Sequence, residues 1–183
     1  MRVGLAVAVL ALFVSTPVMA QVTPAVEIGL GYAFLRDDEI KEDFPLGWYA
    51  DIAGNITSSL GLVGELGGSY KTIGSGLGDD TLDIKLSVHT AMGGLRLTHR
   101  GDGANFFLQV LAGAAKAKQT FLDESDTVTD FALQPGVGLE LGTGGSVGFR
   151  IGADYRRVFS DGQDGGVNQW RATAGFVLRI GER

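Results

Sequence analysis

Eight consecutive segments of period-two alternation, glycine at 29 of 183 positions, and charges gathered on the small-residue face of those segments predict an all-β chain. The architecture they predict is an eight-stranded antiparallel up-and-down transmembrane β-barrel, apolar outside and polar in its lumen. Alternation supplies the strands. Glycine disfavours helices, because each Gly in a helix interior costs about 1 kcal/mol relative to Ala. The placement of charge decides which face meets water.

An address precedes the first strand. Arg2 carries a positive charge, residues 3–14 are apolar or Gly, and Ser15, Thr16 and Pro17 end the run. Val18-Met19-Ala20 then offers a small-residue cleavage site before Gln21. This order predicts a secretory signal peptide over residues 1–20 and a mature barrel domain over 21–183. The apolar run is too short to cross roughly 30 Å of hydrocarbon as a helix.

The first segment places Val26, Ile28, Leu30, Tyr32 and Phe34 opposite Glu27, Gly29, Gly31 and Ala33. The second places Leu46, Trp48, Ala50, Ile52 and Ile56 opposite Gly47, Tyr49, Asp51, Ala53 and Asn55. In the third, Leu60, Leu62, Leu66 and Tyr70 oppose Gly61, Val63, Glu65, Gly67 and Ser69. The fourth changes phase: Leu82, Ile84, Leu86 and Val88 fall on one face, and Ala91, Gly93, Leu95 and Leu97 on the other. A bulge near Met92-Gly93-Gly94 is the expected reconciliation, since one extra residue flips the faces.

The fifth segment sets Phe106, Leu108, Val110, Ala112 and Ala114 against Phe107, Gln109, Leu111 and Gly113. The sixth sets Phe131, Leu133, Val137, Leu139 and Leu141 against Gln134, Gly136, Gly138 and Glu140. The seventh sets Val147, Phe149, Ile151, Ala153 and Tyr155 against Gly148, Arg150, Gly152, Asp154 and Arg156. The eighth sets Trp170, Ala172, Ala174, Phe176, Leu178 and Ile180 against Gln169, Arg171, Thr173, Gly175 and Arg179.

A soluble barrel also alternates, with its large apolar face inward. Here the small face carries the mid-strand charges, and their signs nearly balance. Glu27, Asp51, Glu65, Glu140 and Asp154 are negative; Arg150, Arg156, Arg171 and Arg179 are positive. Such a set suits a narrow lumen that pairs its charges internally. The large face is almost free of mid-strand charge, as contact with hydrocarbon requires. Tyr32, Phe34, Trp48, Tyr70, Phe106, Tyr155 and Trp170 sit near strand ends on that face, where membrane barrels carry aromatic girdles.

The connections alternate in character. Long acidic ones are expected over Leu35 to Pro45, Thr72 to Thr81, Gln119 to Thr127 and Ser160 to Gly165. Short turns are expected over Thr57 to Ser59, His99 to Gly103 and Gly142 to Gly145. This asymmetry puts the long loops outside and both termini in the periplasm. The long loops hold twelve carboxylates against Arg36 and Lys41, a net charge of −10.

Several functions are disfavoured. The chain has no Cys, hence no thiol nucleophile, disulfide or Cys-ligated metal. A net charge of −6 argues against a nucleic-acid partner. His89 lies two residues from Ser87 on one strand, about 7 Å away, too far for a nucleophile–base pair. His99 falls in an expected turn. No catalytic residue, cofactor or metal ligand is expected. Lys116, Lys118 and Arg157, near the upper ends of the fifth and seventh segments, are candidate contacts for lipopolysaccharide phosphates.

The sequence resembles the small eight-stranded outer-membrane β-barrel proteins, which include the transmembrane domain of outer membrane protein A and its short relatives. The resemblance is carried by Gly136-Val-Gly-Leu-Glu-Leu141, Val147-Gly-Phe-Arg-Ile-Gly-Ala-Asp-Tyr155 and Gln169-Trp-Arg-Ala-Thr-Ala-Gly-Phe-Val-Leu-Arg-Ile-Gly181. Relatives often end on an aromatic residue, whereas this chain ends Ile180-Gly181-Glu182-Arg183. The resemblance implies export through the periplasm to a bacterial outer membrane. It also implies partners among outer-membrane lipids, periplasmic chaperones and the barrel-assembly machinery. The reading is a monomeric, non-enzymatic barrel with a cell-envelope structural or surface-interaction role. Its alternatives are a narrow passive pore and a secreted soluble barrel for a small apolar ligand.

Overall fold

A computed structural model describes residues 23–77, 80–121, 124–160 and 166–182. The signal peptide expected over residues 1–20 and most of the loop expected over Ser160 to Gly165 lie outside them. The described chain is all strand and turn: β1 (Pro24–Asp37), β2 (Glu42–Phe44), β3 (Leu46–Asn55), β4 (Leu60–Leu77), β5 (Asp80–Arg100), β6 (Ala104–Phe121), β7 (Glu124–Leu141), β8 (Val147–Phe159) and β9 (Val167–Glu182). Pairing is antiparallel between neighbours throughout. The sheet closes because β1 pairs with β9, from Pro24 opposite Glu182 to Asp37 opposite Gln169. β2 and β3 both pair with β1 and form one barrel strand interrupted at Pro45. The ring therefore has eight strands and no free edge, so its backbone groups are paired around the circumference as a bilayer demands.

A bulge does exist, but not at Met92-Gly93-Gly94. The β4–β5 register runs without a break from Leu60 opposite Leu97 to Leu77 opposite Asp80. The β5–β6 register is equally continuous from Lys85 opposite Thr120 to Arg100 opposite Asn105. The extra residue sits at Pro45 instead. On β1 two residues separate Tyr32 from Leu35, while three separate their partners Phe44 and Trp48. Proline has no N–H to give the ladder, so a bulge is where a strand tolerates it. The slip reverses the faces: Phe44 is buried in the lumen, whereas Leu46 and Trp48 point outward.

The phase change in β5 has another cause. Val88, Thr90, Met92, Arg96, Thr98 and Arg100 all face inward along one unbroken strand. Toward the outer end the lumen itself turns apolar, where Leu86 and Val88 pack with Leu35 and Phe44. Leu95 and Leu97 lie on the opposite, outward face. The expected loops over Thr72 to Thr81 and Gln119 to Thr127 are largely strand, because β4–β5 and β6–β7 continue as long hairpins. Their β-branched content (Thr72, Ile73, Thr81, Thr127, Val128, Thr129) favours extension even where both faces are polar. The loop expected over Leu35 to Pro45 shrinks to a turn at residues 38–41, with Lys41 left-handed at φ 55°.

The large face is outside. Leu30 is 62% exposed, Leu62 56% and Phe176 65%. A soluble barrel would hide these side chains, so the soluble apolar-ligand alternative does not fit this arrangement. Aromatics ring the outward surface. The Trp48 indole donates to the Tyr70 hydroxyl (3.3 Å), the Tyr32 hydroxyl to the Pro45 carbonyl, and the Trp170 indole to Asp38 (2.9 Å). Near the turn end Phe149 meets Phe176 edge to face, centroids 5.9 Å apart.

Candidate functional site

The lumen is filled by side chains that the alternation sends inward. An eight-stranded barrel is just wide enough for this. The Arg150 guanidinium on β8 is 2% exposed and spans the interior. It donates to both oxygens of Asp51 on β3 (2.9 and 2.7 Å), to Glu140 on β7 (2.9 and 2.6 Å) and to Glu27 on β1 (3.3 Å). One cation thus ties together three strands besides its own. Arg171 on β9 ties two other strands elsewhere in the lumen, pairing with Glu65 of β4 (2.8 Å) and Asp154 of β8 (2.9 Å). Arg179 donates to Glu140 (3.3 Å) and to the carbonyls of Gly142 and Gly145 in the short β7–β8 turn.

Arg156 behaves differently from the other expected members. It bonds amides, not carboxylates: its Nε donates to Gln134 (2.8 Å) and its Nη1 to Gln169 (3.2 Å). Gln134 in turn donates to Glu65 (3.2 Å), so Arg156 joins the network through a relay.

Two further cations belong to the network. Arg96 reaches Asp51 (3.3 Å) and Gln109 (2.8 Å), and Arg100 reaches Glu27 (3.0 Å). Sequence reading missed both because a bulge was expected in their strand. The signal was present: Leu95 and Leu97 face out, so Arg96 between them must face in. Phe107, the aromatic on the inward face of β6, is also explained. Its ring lies under the guanidinium carbons of Arg96 (4.7 Å) and Arg150 (5.4 Å), a cation–π stack shielded from water.

Glycines make room for this filling. A Cβ on Gly29 would stand 2.4 Å from the Asp51 carboxylate and 2.7 Å from Arg150 Nη1. One on Gly136 would stand 1.9 Å from Asp154 Oδ1, and one on Gly138 2.2 Å from the Phe107 ring. By contrast, Gly54 on the outward face has no such neighbour within 4 Å.

Space within the lumen is divided in two. At the outer mouth a vestibule of about 340 Å³ has an apolar floor of Phe44, Leu86, Val88, Val158 and Val167, with Asp126 and Asp130 on its wall. At the opposite mouth, beside the chain termini, a recess of about 490 Å³ is bounded by Arg100, Asn105 and Arg179. Between them the charged layer around Asp51, Glu65, Arg96, Arg150 and Arg171 leaves about 10 Å³. That is room for about one water molecule at most. Among the described residues no group of three His, Asp or Glu side chains is placed to hold a metal ion.

The three cations expected to contact lipopolysaccharide do not form one cluster. Lys116 and Lys118 lie two residues apart on β6, exposed, opposite Thr129 and Thr127. Arg157 sits on β8 opposite Leu133, the residue that also faces Ala112 of β6. Its guanidinium is held by Asn168 Oδ1 at 2.5 Å. Lys116 is four residues further along β6 than Ala112, about 13 Å of strand. His89 is exposed and shares a hydrogen bond of 3.0 Å with the Tyr70 hydroxyl.

Comparison with known families matches residues 6–179 to the model of the outer membrane protein beta-barrel domain. Three solved structures resemble the fold. Neisserial surface protein A aligns with a TM-score of 0.63 at 12% identity, over 85% of this chain and 96% of that one. Ail, the attachment invasion locus protein of Yersinia pestis, solved in complex with the heparin analogue sucrose octasulfate, aligns at 0.53 and 18% identity, over 87% and 100%. The N-terminal β-barrel domain of Pseudomonas aeruginosa OprF aligns at 0.52 and 15% identity, over 87% and 100%. No curated protein matches the chain.

Proposed function

The chain belongs to the outer membrane protein beta-barrel domain family, and we propose that it is a closed, non-enzymatic member with a structural or surface-interaction role in the bacterial envelope. A leader over residues 1–20 would carry it to the periplasm, where chaperones and the assembly machinery would receive it as a monomer. The observation that carries this reading is the plug. Six buried or half-buried arginines and five carboxylates cross the lumen, and the space left among them is about 10 Å³. A pore for solutes needs a continuous wet path, and this layer interrupts it.

What such a barrel offers its surroundings is its outer surface. The carboxylate-rich turn at residues 38–41 and the vestibule wall make that end acidic, which favours cationic partners and repels polyanions. A second reading, a narrow ion path opened by exchange of partners, is favoured by one feature. Arg96 lies within reach of two carboxylates, Asp51 at 3.3 Å and Glu27 at 4.0 Å.

Planar-bilayer recording tests both. The purified barrel should show no conductance steps above the bare membrane. Replacing Arg150 and Arg171 together by Ala should create cation-selective steps, because the five lumen carboxylates then outnumber the remaining arginines. Steady conductance of the unmodified barrel would overturn the closed-lumen reading in favour of the pore. Unchanged conductance on replacing Glu65 by Gln, with lowered thermal stability, would leave that carboxylate a structural role alone.

A further inference from the structure

The vestibule differs from the rest of the lumen. Beneath it the interior is a charged plug, whereas here the inward rows turn apolar. Leu35, Phe44 and Val88 form one buried cluster with Leu86 packed against it, and Val158 belongs to a second with Val167 packed against it. Together they floor a well of about 340 Å³. Pockets that take small molecules begin at about 300 Å³. The well is blind, because the plug beneath it leaves only about 10 Å³. Its lining is not fully covered: Val128 and Ile40 remain 54% and 51% exposed at the mouth. Covering apolar side chains that are open to water is favourable, so the well suits an occupant with an apolar body.

Charge at the mouth narrows the choice. On β7 Asp126, Val128 and Asp130 continue the inward phase of the buried Ala132 and Gln134. The register sets Asp126 opposite Gln119, Val128 opposite Ala117 and Asp130 opposite Ala115 of β6. The two carboxylates stand about 14 Å apart along the strand, with Val128 between them. Asp130 is half-buried and adjoins the apolar floor at Ala115, whereas Asp126 is exposed at the rim. Neither has a hydrogen bond or ion pair among the described residues. Asp37 adds a third negative charge, its oxygens held by the Glu39 and Ile40 amides and by Gln169 (2.9 Å). Lys118 is the one cation in the lining among the described residues, so three carboxylates less one ammonium leave it at −2.

We propose that this vestibule binds a small organic cation, a protonated amine on a compact apolar body, which enters by the mouth away from the chain termini. The body lies on Phe44, Val88 and Val158, and the ammonium meets Asp130. Asp126 and Asp37 attract it at longer range, and the same lining repels an anionic ligand. The recess at the other mouth carries Arg100 and Arg179 and disfavours a cation. The inference rests on the closed-lumen reading and its acidic end, and the test keeps the two apart.

The full barrel in an uncharged detergent is titrated by calorimetry, against protein-free micelles, with adamantylamine, adamantanol and adamantane carboxylate. These share one body and differ in charge. The amine should bind about tenfold tighter than the alcohol, the carboxylate should bind more weakly than either, and added salt should narrow the gap. Asp130→Asn should weaken the amine about fivefold and leave the alcohol unchanged, and Asp126→Asn should weaken the amine about twofold. Lys118→Gln should strengthen it. Ala117→Trp, which fills the well from an exposed wall position, should abolish binding of amine and alcohol alike. Heat-modifiable gel mobility shows that each variant is folded. Equal affinity for amine and alcohol, or amine binding that survives Ala117→Trp, overturns the site. Conductance of the unmodified barrel in a planar bilayer would instead refute the closed-lumen reading, whatever the titration shows.

Discussion

Removing the Arg150 side chain is the sharpest perturbation of the plug. Its guanidinium makes five donor–acceptor contacts, all between 2.6 and 3.3 Å, to carboxylates on β1, β3 and β7. All four residues are nearly inaccessible, so solvent screens little of the interaction. In Arg150→Met the apolar part of the side chain is kept and the three carboxylates lose their shared cation. Arg96, Arg100 and Arg179 still reach members of this trio, which limits the damage. Stranding a buried charge by deleting its partner costs about 3–5 kcal/mol, and we expect the lower half of that range. With a denaturant slope of about 2 kcal/mol per molar urea, the unfolding midpoint should fall by about 1.5–2 M. The assay is urea unfolding in phospholipid vesicles, followed by tryptophan fluorescence and by gel mobility. Adding Glu140→Gln to the variant should cost less than it does alone, because the stranded carboxylate is then neutral. A loss below about 1 kcal/mol, or strict additivity of the two substitutions, would refute the claim that these groups form one cooperative plug.

Other consequences follow from shape. Gly136→Ala places a methyl 1.9 Å from Asp154 Oδ1 and should destabilise by about 1–3 kcal/mol, whereas Gly54→Ala meets open space and should be neutral or stabilise by about 0.5 kcal/mol. The contrast is read by the same urea titration. Deleting Pro45 removes the extra residue but leaves Phe44 opposite Leu35 and facing the lumen, so stability should stay within about 1 kcal/mol in the same urea titration, whereas Phe44→Ala, which takes that buried ring from the lumen, should cost about 3–5 kcal/mol and enlarge the vestibule, visible as faster proteolysis of the turn at residues 38–41.

Much of the barrel was legible because its two faces differ so strongly. Leu30 beside Gly29, or Phe149 beside Arg150, leaves little doubt about which neighbour meets hydrocarbon once the inward charges are seen to balance. The same rule located Glu27, Asp51, Glu65, Glu140, Asp154 and Arg171 on one interior. It failed where the inside and outside resemble each other. In β5, Leu86 and Val88 are lumen residues and Leu95 and Leu97 lie on the outward surface, so hydrophobicity alone imitates a bulge. At Pro45 a true bulge was hidden within an acidic stretch that reads as loop. The hairpin extensions were missed for a related reason: beyond the bilayer both faces are polar, and period-two alternation loses its contrast. Partner choice was not legible at all. That Arg156 binds Gln134 and Gln169 while Arg171 takes two carboxylates depends on strand stagger, which sequence does not encode locally.

The large face of the barrel is turned outward, toward hydrocarbon, and the charged face lines the lumen. The chain has no native Cys, so single cysteines can report this directly. Leu30→Cys, Leu62→Cys and Phe149→Cys, each carrying a polarity-sensitive fluorophore, would be reconstituted in vesicles whose acyl chains are brominated. Emission should be blue-shifted, quenched by the brominated chains and untouched by aqueous iodide, with the barrel still folded. Emission indifferent to the brominated lipid, together with unfolding of the labelled variants, would mean that these residues form a dry core and that the barrel is inverted.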